Sequence, residues 1–407
     1  MGAILDRYRD VTLPGTVQVL ERLASRLKDR SILHVNSTQV GGGVAEILHR
    51  MLPLFTDVGL RPRWEVMTGT EDFFAVTKAF HNALQGKAVV LTPAMKSTYM
   101  DCLRANAARL DLSADTVIIH DPQPAALVEK RSREARWVWR CHIDLSHPDR
   151  DFWKFLQEFV IRYDAAIFSL PKFSRRLPIP QVLFWPAIDP LSEKNVEISR
   201  EEVGSIVGRL GIPVDRRMVL QVSRFDRFKD PVGVIKAFKL VRRRTDCILV
   251  LAGGGASDDP EGRAVLAEVR AAAEGDPDIY VLELPPTAHR EINALQRAAA
   301  VVIQKSTREG FGLTVTEAMW KGKAVVGGLA GGITTQVLHG ITGFLVSSVE
   351  GAAFRIYTLL ENPDLAARMG MEGREHVRRN FLVTRNFRDY LTLLVWLEEI
   401  RSQRVAA

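Results

Sequence analysis

Two glutamates, Glu309 and Glu317, stand eight residues apart in the segment KSTREGFGLTVTEAMWKGKAVVGG. Glu309 follows the strand-like run AVVIQKS, and Gly310 and Gly312 permit an unusual backbone beside it. Glu317 falls in the first turns of a helix that is predicted to start near Leu313. A loop carboxylate beside the start of a helix can accept hydrogen bonds from sugar hydroxyls, while the helix amides bind an anion. The segment therefore predicts a ligand site, since a lone glutamate pair without these neighbours would be surface charge.

Two basic residues, Arg224 and Lys229, follow a second strand-like run, MVLQVS. Side chains that come directly after a parallel strand lie at the carboxyl edge of its sheet, where ligands of such sheets bind. An arginine can form paired hydrogen bonds to phosphate oxygens, and a lysine adds a compact positive charge. The two residues predict an anion site, with a solvated charged loop as the alternative.

Three consecutive glycines, Gly41, Gly42 and Gly43, lie between the run SILHVN and the helical pattern VAEILHRMLPLF. Glycines let a ligand approach the backbone closely, and the start of the helix offers N–H groups to an anion such as a diphosphate. The spacing is not that of the dinucleotide motif G-x-G-x-x-G, and no phosphate-loop lysine follows. A tight turn between strand and helix is the alternative.

A polar pair, His120 and Asp121, stands at the end of the apolar run DTVIIH and precedes Pro122. Both residues are expected at the carboxyl edge of a sheet, where they would face a ligand. The alternative is a capped turn, because aspartate and proline are good turn residues.

These candidates need a scaffold, which the chain supplies as alternating strand and helix patterns. In the first half, SILHVN, KAVVLT, DTVIIH and DAAIFSL are expected strands, and FFAVTKAFHNAL and DFWKFLQEFVIRY carry apolar residues at helical spacing. After a proline-rich polar stretch near residues 187–195, a second series follows with MVLQVS, CILVLAGGG, DIYVLEL, AVVIQKS and AVVGG. Repeated βα units imply parallel sheets that are covered by helices on both faces.

We therefore predict an α/β fold of two doubly wound, Rossmann-like domains that face each other across a cleft. The first domain is expected to span residues 1–188 and the second residues 189–380. A helical segment at residues 380–407 is expected to pack back onto the first domain. Two facing carboxyl edges suit a reaction of two substrates, with one substrate bound by each domain.

Composition excludes several classes of protein. The chain has 407 residues and a formal net charge of +7, and its basic residues are scattered, without the stripe and interleaved aromatics of a nucleic-acid-binding protein. Its three cysteines form no C-x-x-C pair and no metal-ligand spacing, so we predict no metal site. No apolar run reaches the roughly 18 residues of a membrane span, and MGAILDRYRD lacks a signal-peptide pattern. We expect a cytoplasmic protein without membrane or nucleic-acid partners.

Together the motifs resemble those of retaining nucleotide-sugar glycosyltransferases with two Rossmann domains (GT-B). The segment that contains Glu309 and Glu317 looks like the E-x7-E motif of that superfamily, and VSRFDRFKD looks like its diphosphate-binding segment. The strings HVNSTQVGGGVAEILH, TKAFHNALQG and IIHDPQP are more specific. They look like those of trehalose glycosyltransferring synthases, which join a nucleotide-activated glucose to free glucose. Trehalose phosphorylases share several of these strings.

The resemblance implies a role for each candidate residue. Arg224 and Lys229 would hold the diphosphate of the donor and stabilise it as it leaves. His120 would hydrogen-bond the donor sugar near its transferring carbon, and Asp121 would lie towards the acceptor. Glu309 would bind hydroxyls of the transferred glucose. The other residues implied in donor binding are Glu317 for the ribose hydroxyls, the backbone of Gly310, Phe311, Gly312 and Leu313, and the phosphate-loop glycines Gly42 and Gly43.

The reaction implied is a retaining transfer of glucose from a nucleoside-diphosphate glucose to glucose, which gives trehalose. No metal ion or other cofactor is expected, because two cations and a helix dipole take the usual role of the metal. UDP-, ADP- and GDP-glucose all stay open as donors, and a homodimer stays open as the oligomeric state. The alternatives are a trehalose phosphorylase and a nucleotide-sugar-binding regulator. Trehalose breakdown by phosphate without nucleotide would favour the first, and binding without turnover the second.

Overall fold

The computed structural model describes residues 2–39, 43–254 and 260–406. The chain divides into two compact units, unit 1 with residues 1–186 and 383–407, and unit 2 with residues 187–382. Each unit contains one six-stranded sheet. All strand pairs in both sheets are parallel, which confirms the α/β class predicted from the alternating patterns.

Unit 1 holds the first six strands and the first six helices. The strands are β1 (Ser31–Asn36), β2 (Arg61–Val66), β3 (Thr116–His120), β4 (Arg136–Arg140), β5 (Ala165–Phe168) and β6 (Gln181–Leu183). They lie in the order β2-β1-β3-β4-β5-β6. The helices are α1 (Ala3–Asp6), α2 (Thr16–Ser25), α3 (Gly43–Asp57), α4 (Glu71–Leu84), α5 (Pro93–Arg109) and α6 (Arg150–Val160). Every residue of β3, β4 and β5 is buried, as expected for parallel strands covered on both faces.

Unit 2 repeats this plan with its own sheet. Its strands are β7 (Met218–Val222), β8 (Ile248–Gly253), β9 (Ile279–Glu283), β10 (Val301–Gln304), β11 (Val325–Gly328) and β12 (Gly343–Val346). They lie in the order β12-β11-β10-β7-β8-β9, so β7 and β10 are central neighbours. The helices are α7 (Arg200–Arg209), α8 (Pro231–Arg242), α9 (Pro260–Ala273), α10 (His289–Ala298), α11 (Leu313–Trp320), α12 (Ile333–Gln336), α13 (Val349–Glu361) and α14 (Pro363–Asn380).

The last helix, α15 (Val383–Ala406), belongs to unit 1 although the whole of unit 2 precedes it in the chain. Its Phe387 packs edge-on against Phe55, with ring centroids 5.0 Å apart. Its Tyr390 packs in the same way against Phe184, at 4.9 Å. These buried aromatic contacts fasten the end of the chain to the core of unit 1.

One predicted strand is wrong. The segment KAVVLT is irregular, and its Val90 is 80% exposed. The segment lies between two helices and ends in the cap of the second, since Thr92 accepts a hydrogen bond from Met95 N and Pro93 is the first residue of α5. Proline is favoured at the first position of a helix, so the sequence Thr-Pro marks a helix start here.

Four strands, β2, β4, β6 and β12, were not predicted. The clearest case is β4, with the sequence RWVWR, in which an arginine stands at each end of a three-residue apolar stretch. In the structure Arg136 is 6% exposed and Arg140 is 2% exposed. Their burial depends on partners elsewhere in the fold, since Arg136 bonds Asp164 and Arg140 bonds Phe184 O, and composition does not reveal these contacts.

In the described ranges no helix is both long enough and apolar enough to cross a membrane. The three cysteines are free thiols. Cys141 and Cys247 are buried, whereas Cys102 is half-buried.

Candidate active site

The loop after β10 carries Glu309, whose carboxylate pairs with Lys229. Lys229 Nζ lies 2.5 Å from Glu309 Oε2, and Ser306 Oγ donates to the same oxygen over 3.2 Å. The two side chains are 17% and 9% exposed, so the pair is largely shielded from water. The structure thus brings together the lysine predicted to bind a diphosphate and the glutamate predicted to bind sugar hydroxyls. An anion that binds Lys229 must compete with Glu309 for the ammonium group.

A second ion pair, between Lys305 and Asp230, joins the same two segments of unit 2. Asp230 also caps α8 by accepting from Gly233 N over 3.1 Å, and its own backbone is left-handed, with φ of 50°. A backbone hydrogen bond of 2.8 Å from Thr307 N to Phe228 O adds to the connection. Lys305 was not predicted as a site residue, although its position directly after β10 could have indicated that it lies at the carboxyl edge of the sheet.

Arg224 lies in the loop after β7, with 69% of its side chain exposed. Its Nη2 is 3.6 Å from Asp226 Oδ2, while Asp226 Oδ1 accepts from Phe228 N over 2.7 Å. An exposed ion pair at this distance contributes little stability. The guanidinium can therefore turn to an anionic ligand with little loss of stability.

Backbone conformation and close packing explain why glycines surround Glu309. Gly312, which precedes α11, has φ of 85°, a region that favours glycine. Two further glycines, Gly331 and Gly332, were not predicted as part of the site. A Cβ on Gly331 would lie 1.4 Å from Glu309 O, and one on Gly332 would lie 2.6 Å from Phe311 Cα. The loop therefore rests directly on this glycine pair.

The other residues of this loop differ in what they can offer a ligand. Phe311 is 7% exposed and packs edge-on against Phe381, so its side chain supports the loop from inside. Its carbonyl accepts a hydrogen bond from Gln336 Nε2, and only its remaining backbone atoms could meet a ligand. Gly310 is exposed. Leu313 begins α11, whose first N–H groups have no partner within the helix.

Glu317 lies inside α11 and is 6% exposed. One turn further on, Lys321 Nζ donates to Glu317 O over 3.2 Å and to Asn195 Oδ1 over 3.0 Å. Burial lowers the pKa of Lys321 to about 7, although the nearby negative charge of Glu317 raises it. Lys321 was not predicted, and its spacing of four residues from Glu317 is the only sequence signal for it.

In unit 1, His120 ends β3 and is 1% exposed. Its Nε2 lies 3.0 Å from His34 Nδ1, and its Nδ1 lies 3.0 Å from His142 Nε2. Burial lowers the pKa of His34 to about 3, and burial also lowers the pKa of His120 and His142 far below the ordinary value. All three rings are therefore neutral near pH 7. Because both nitrogens of His120 are occupied, a hydrogen bond from this ring to a sugar requires one of the two contacts to break.

Asp121 follows in a left-handed conformation with φ of 65°. Its Oδ1 accepts from His142 N over 2.7 Å, its own N donates to Arg140 O over 2.8 Å, and its carbonyl accepts from Trp139 Nε1 over 3.0 Å. Burial raises the pKa of Asp121 to about 6. The residue fixes the chain beyond β4, and its Oδ2, which has no hydrogen bond within the described ranges, is the atom that can meet a ligand.

The predicted phosphate loop is described only at its end. Gly41 and Gly42 lie outside the described residues, and Gly43 begins α3. Within the part of the chain that the structure describes, no three histidine, cysteine, aspartate or glutamate side chains are placed to hold a metal ion.

Two family descriptions match the chain, one in each unit. "Trehalose synthase, N-terminal domain" matches residues 34–175, and "Glycosyl transferases group 1" matches residues 205–376. The solved E. coli trehalose-6-phosphate structure bound with UDP-2-fluoro glucose superposes with a TM-score of 0.71 over 90% of this chain and 99% of that one. The sequence identity is 13%, so this likeness establishes the GT-B fold alone.

Sequence relatives extend over nearly the whole chain. Trehalose synthase of Pyrococcus horikoshii is 44% identical over 400 residues, which cover 96% of this chain and 95% of the relative. Trehalose phosphorylase of Pleurotus pulmonarius is more distant, with 29% identity over 92% of this chain and 58% of the relative. The two family matches and the near full-length similarity agree, and the chain belongs to the trehalose synthase family of glycosyltransferases.

Proposed function

We propose that the protein transfers glucose from a nucleoside-diphosphate glucose to free glucose and so forms trehalose. The observation that carries the proposal is the pair of Lys229 and Glu309 at the carboxyl edge of the sheet in unit 2. It places a cation that suits a phosphate 2.5 Å from a carboxylate that accepts hydroxyl hydrogen bonds. A nucleotide sugar carries both complementary groups on neighbouring atoms, since its phosphate is bonded to the sugar ring.

The two cations would act mainly on the leaving group. Negative charge on the diphosphate grows as the bond between glucose and phosphate loosens, so groups that bind this charge stabilise the transition state. Lys229 supplies a compact charge, and the exposed Arg224 can form two parallel hydrogen bonds to phosphate. The positive end of the α11 dipole adds to them. On this account the reaction needs no metal ion.

The carboxylates would orient the donor. Glu309 accepts hydrogen bonds from hydroxyls of the transferred glucose, and the buried Glu317 accepts hydrogen bonds from the ribose hydroxyls. Backbone groups of Gly310 and Gly312 approach the sugar and phosphates without hindrance from side chains. In unit 1, Asp121 is the residue that we assign to the acceptor glucose.

Retention follows from attack on the face that the diphosphate leaves. The acceptor hydroxyl forms the new bond to the anomeric carbon as the bond to phosphate breaks, and the departing phosphate oxygen takes the hydroxyl proton. A single step of this kind requires no carboxylate nucleophile.

Matched lysine variants test the proposal. Lys229→Ala should abolish the release of nucleoside diphosphate that depends on glucose, because the leaving group loses one of its two cations. Lys236→Ala removes an exposed lysine of α8 and should leave the rate unchanged. Equal activity of both variants would refute the assignment of Lys229.

A phosphorylase is the second candidate, favoured by the relative of that name in Pleurotus pulmonarius. The same cation pair would then hold inorganic phosphate, and Glu317 would have no ribose to bind. Incubation of trehalose with phosphate, and separately with a nucleoside diphosphate, distinguishes the two. Glucose 1-phosphate formed without nucleotide would favour the phosphorylase, and nucleotide-glucose formed only with a nucleoside diphosphate would favour the synthase.

A further inference from the structure

Three histidine rings of unit 1 form a row of hydrogen bonds near the carboxyl edge of its sheet. His34 lies in β1, His120 ends β3, and His142 lies two residues beyond β4. Neighbouring rings lie edge to edge, with both pairs of centroids 5.3 Å apart and angles of 27° and 17° between the ring planes. Each of the two contacts joins ring nitrogens over 3.0 Å. We propose that His34 acts through His120 to hold His142 in a single tautomer, with the proton on Nδ1.

The coupling follows from the chemistry of neutral imidazole. Each neutral ring has one N–H donor and one acceptor nitrogen, so a row of three such rings has only two arrangements. The protons point either from His34 towards His142 or in the opposite direction. One ring cannot change its tautomer without breaking a hydrogen bond unless all three rings change. The state of His34 therefore fixes the state of His142.

The surroundings keep the rings neutral, as this coupling requires. All three pKa values are lowered by burial, and the positive charge of Arg140 lowers those of His120 and His142 further. Arg140 is 2% exposed and is held by a 2.9 Å hydrogen bond from its Nη2 to Phe184 O. A protonated ring would bring a fourth N–H group into the row, and the two hydrogen bonds would then no longer have a fixed direction.

The direction in which the ring protons point along the row follows from the surroundings of His34, at its buried end. His34 Nε2 is buried and has no hydrogen-bond partner in the described part of the chain. The rings of Phe55 and Tyr390 pack against the His34 ring, with centroids 5.9 Å and 6.3 Å from that of His34. If the protons pointed from His142 towards His34, Nε2 of His34 would carry an N–H group without an acceptor. Buried donors without a partner are rarer than buried acceptors without one. His34 therefore donates from Nδ1, and His120 donates from Nδ1 to His142 Nε2.

The open end of the row is a donor with a fixed direction. His142 is half-buried, and its backbone N is held by Asp121 Oδ1 over 2.7 Å. With Nε2 occupied as an acceptor, Nδ1–H is the group that His142 presents to a ligand oxygen. This role in catalysis rests on the proposed function, in which that oxygen belongs to a sugar. His34 and His120 are then positioning residues, because they act through His142.

Nitrogen-15 NMR of the histidine rings in the full chain tests the tautomer directly, with His142 assigned by the loss of its signals in His142→Gln. In the unsubstituted protein, Nδ1 of His142 should give a protonated-type signal and Nε2 an unprotonated-type signal. His34→Phe keeps an aromatic ring but removes the donor to His120, so His142 should become a mixture of tautomers. His34→Asn keeps a donor at the position of Nδ1 and should preserve the single tautomer. The exposed His49 on α3 provides the control, and His49→Phe should change nothing at His142.

Two spectral results would overturn the proposal. One is an unsubstituted protein in which His142 carries its proton on Nε2 or is a mixture of tautomers. The other is an unchanged His142 spectrum in folded His34→Phe.

Kinetics connect the row to the reaction. The kcat of trehalose formation should fall about tenfold in His34→Phe, in line with one hydrogen bond lost in the transition state, and should recover in His34→Asn. An equal loss in both variants would overturn the positioning role. A protein that shows the expected spectra but forms no trehalose would refute the proposed function and still support the tautomer assignment.

Discussion

Replacing Glu309 by glutamine should make the protein bind a free nucleoside diphosphate more tightly while transfer of glucose is lost. In the structure Lys229 Nζ is engaged by Glu309 Oε2 at 2.5 Å. Glutamine has nearly the same shape but no charge, so it releases the ammonium group to a phosphate and removes a nearby negative charge. The transferred sugar loses an ionised acceptor, and transfer therefore slows.

The size of the effect follows from the shielding of the pair. The side chains of Lys229 and Glu309 are 17% and 9% exposed, so their interaction is stronger than that of an exposed pair. A hydrogen bond to a charged partner contributes about 1.5–3 kcal/mol, and one between neutral groups about 0.5–1.5 kcal/mol. Because glutamine still offers an amide oxygen to the lysine, we expect a gain of about 1.4 kcal/mol in diphosphate binding, or about tenfold in Kd.

Isothermal titration calorimetry with UDP, ADP and GDP measures this directly. Glu350→Gln, at an exposed position in the first turn of α13, provides the matched control and should bind as the unsubstituted protein does. Lys229→Met should weaken binding, and adding Glu309→Gln to it should restore little, because most of the gain acts through Lys229. Unchanged or weaker binding by Glu309→Gln alone would refute the competition between the carboxylate and the diphosphate.

Four further predictions follow from the same site. Glu317→Ala should weaken donor binding about tenfold in calorimetry, because the ribose hydroxyls lose an ionised acceptor; an unchanged Kd would remove that role. Arg224→Ala should lower kcat more than it raises KM. The control Arg243→Ala, at an exposed position, should leave both kcat and KM unchanged. Burial lowers the pKa of Lys321 to about 7, so the unfolded state binds more protons between about pH 7 and pH 10. Stability in urea should therefore rise over that range, and rise less in Lys321→Met. A chelator should leave the rate of glucose transfer unchanged, and loss of activity that magnesium restores would contradict the metal-free mechanism.

The sequence predicted the sheets well where strands are continuous apolar runs. Runs such as MVLQVS and DTVIIH are buried on both faces, and their composition alone indicates this environment. The prediction was wrong for KAVVLT, whose apolar residues end in the cap of α5, and it missed β4, whose arginines are buried by the fold around them. Local pattern cannot reveal burial that depends on distant segments of the chain.

Candidate residues were found from their position after a strand, but their contacts were not. Lys229 and Glu309 both follow central strands of unit 2, which is why sequence reasoning reached them. Their ion pair joins positions 80 residues apart, and no local pattern specifies it. The same holds for the contact of His34 with His120, 86 residues apart, which arises because β1 and β3 are neighbours in the sheet.

The central claim, transfer of glucose from a nucleotide to glucose with retention, is tested most directly with isotope-labelled donors. Carbon-13-labelled UDP-, ADP- and GDP-glucose would each be incubated with unlabelled glucose, and the disaccharide analysed by NMR. The account predicts α,α-trehalose with the label in one ring, an α configuration at the labelled anomeric carbon and one nucleoside diphosphate released per disaccharide. A β configuration at that carbon, or no labelled disaccharide from any of the three donors, would contradict it.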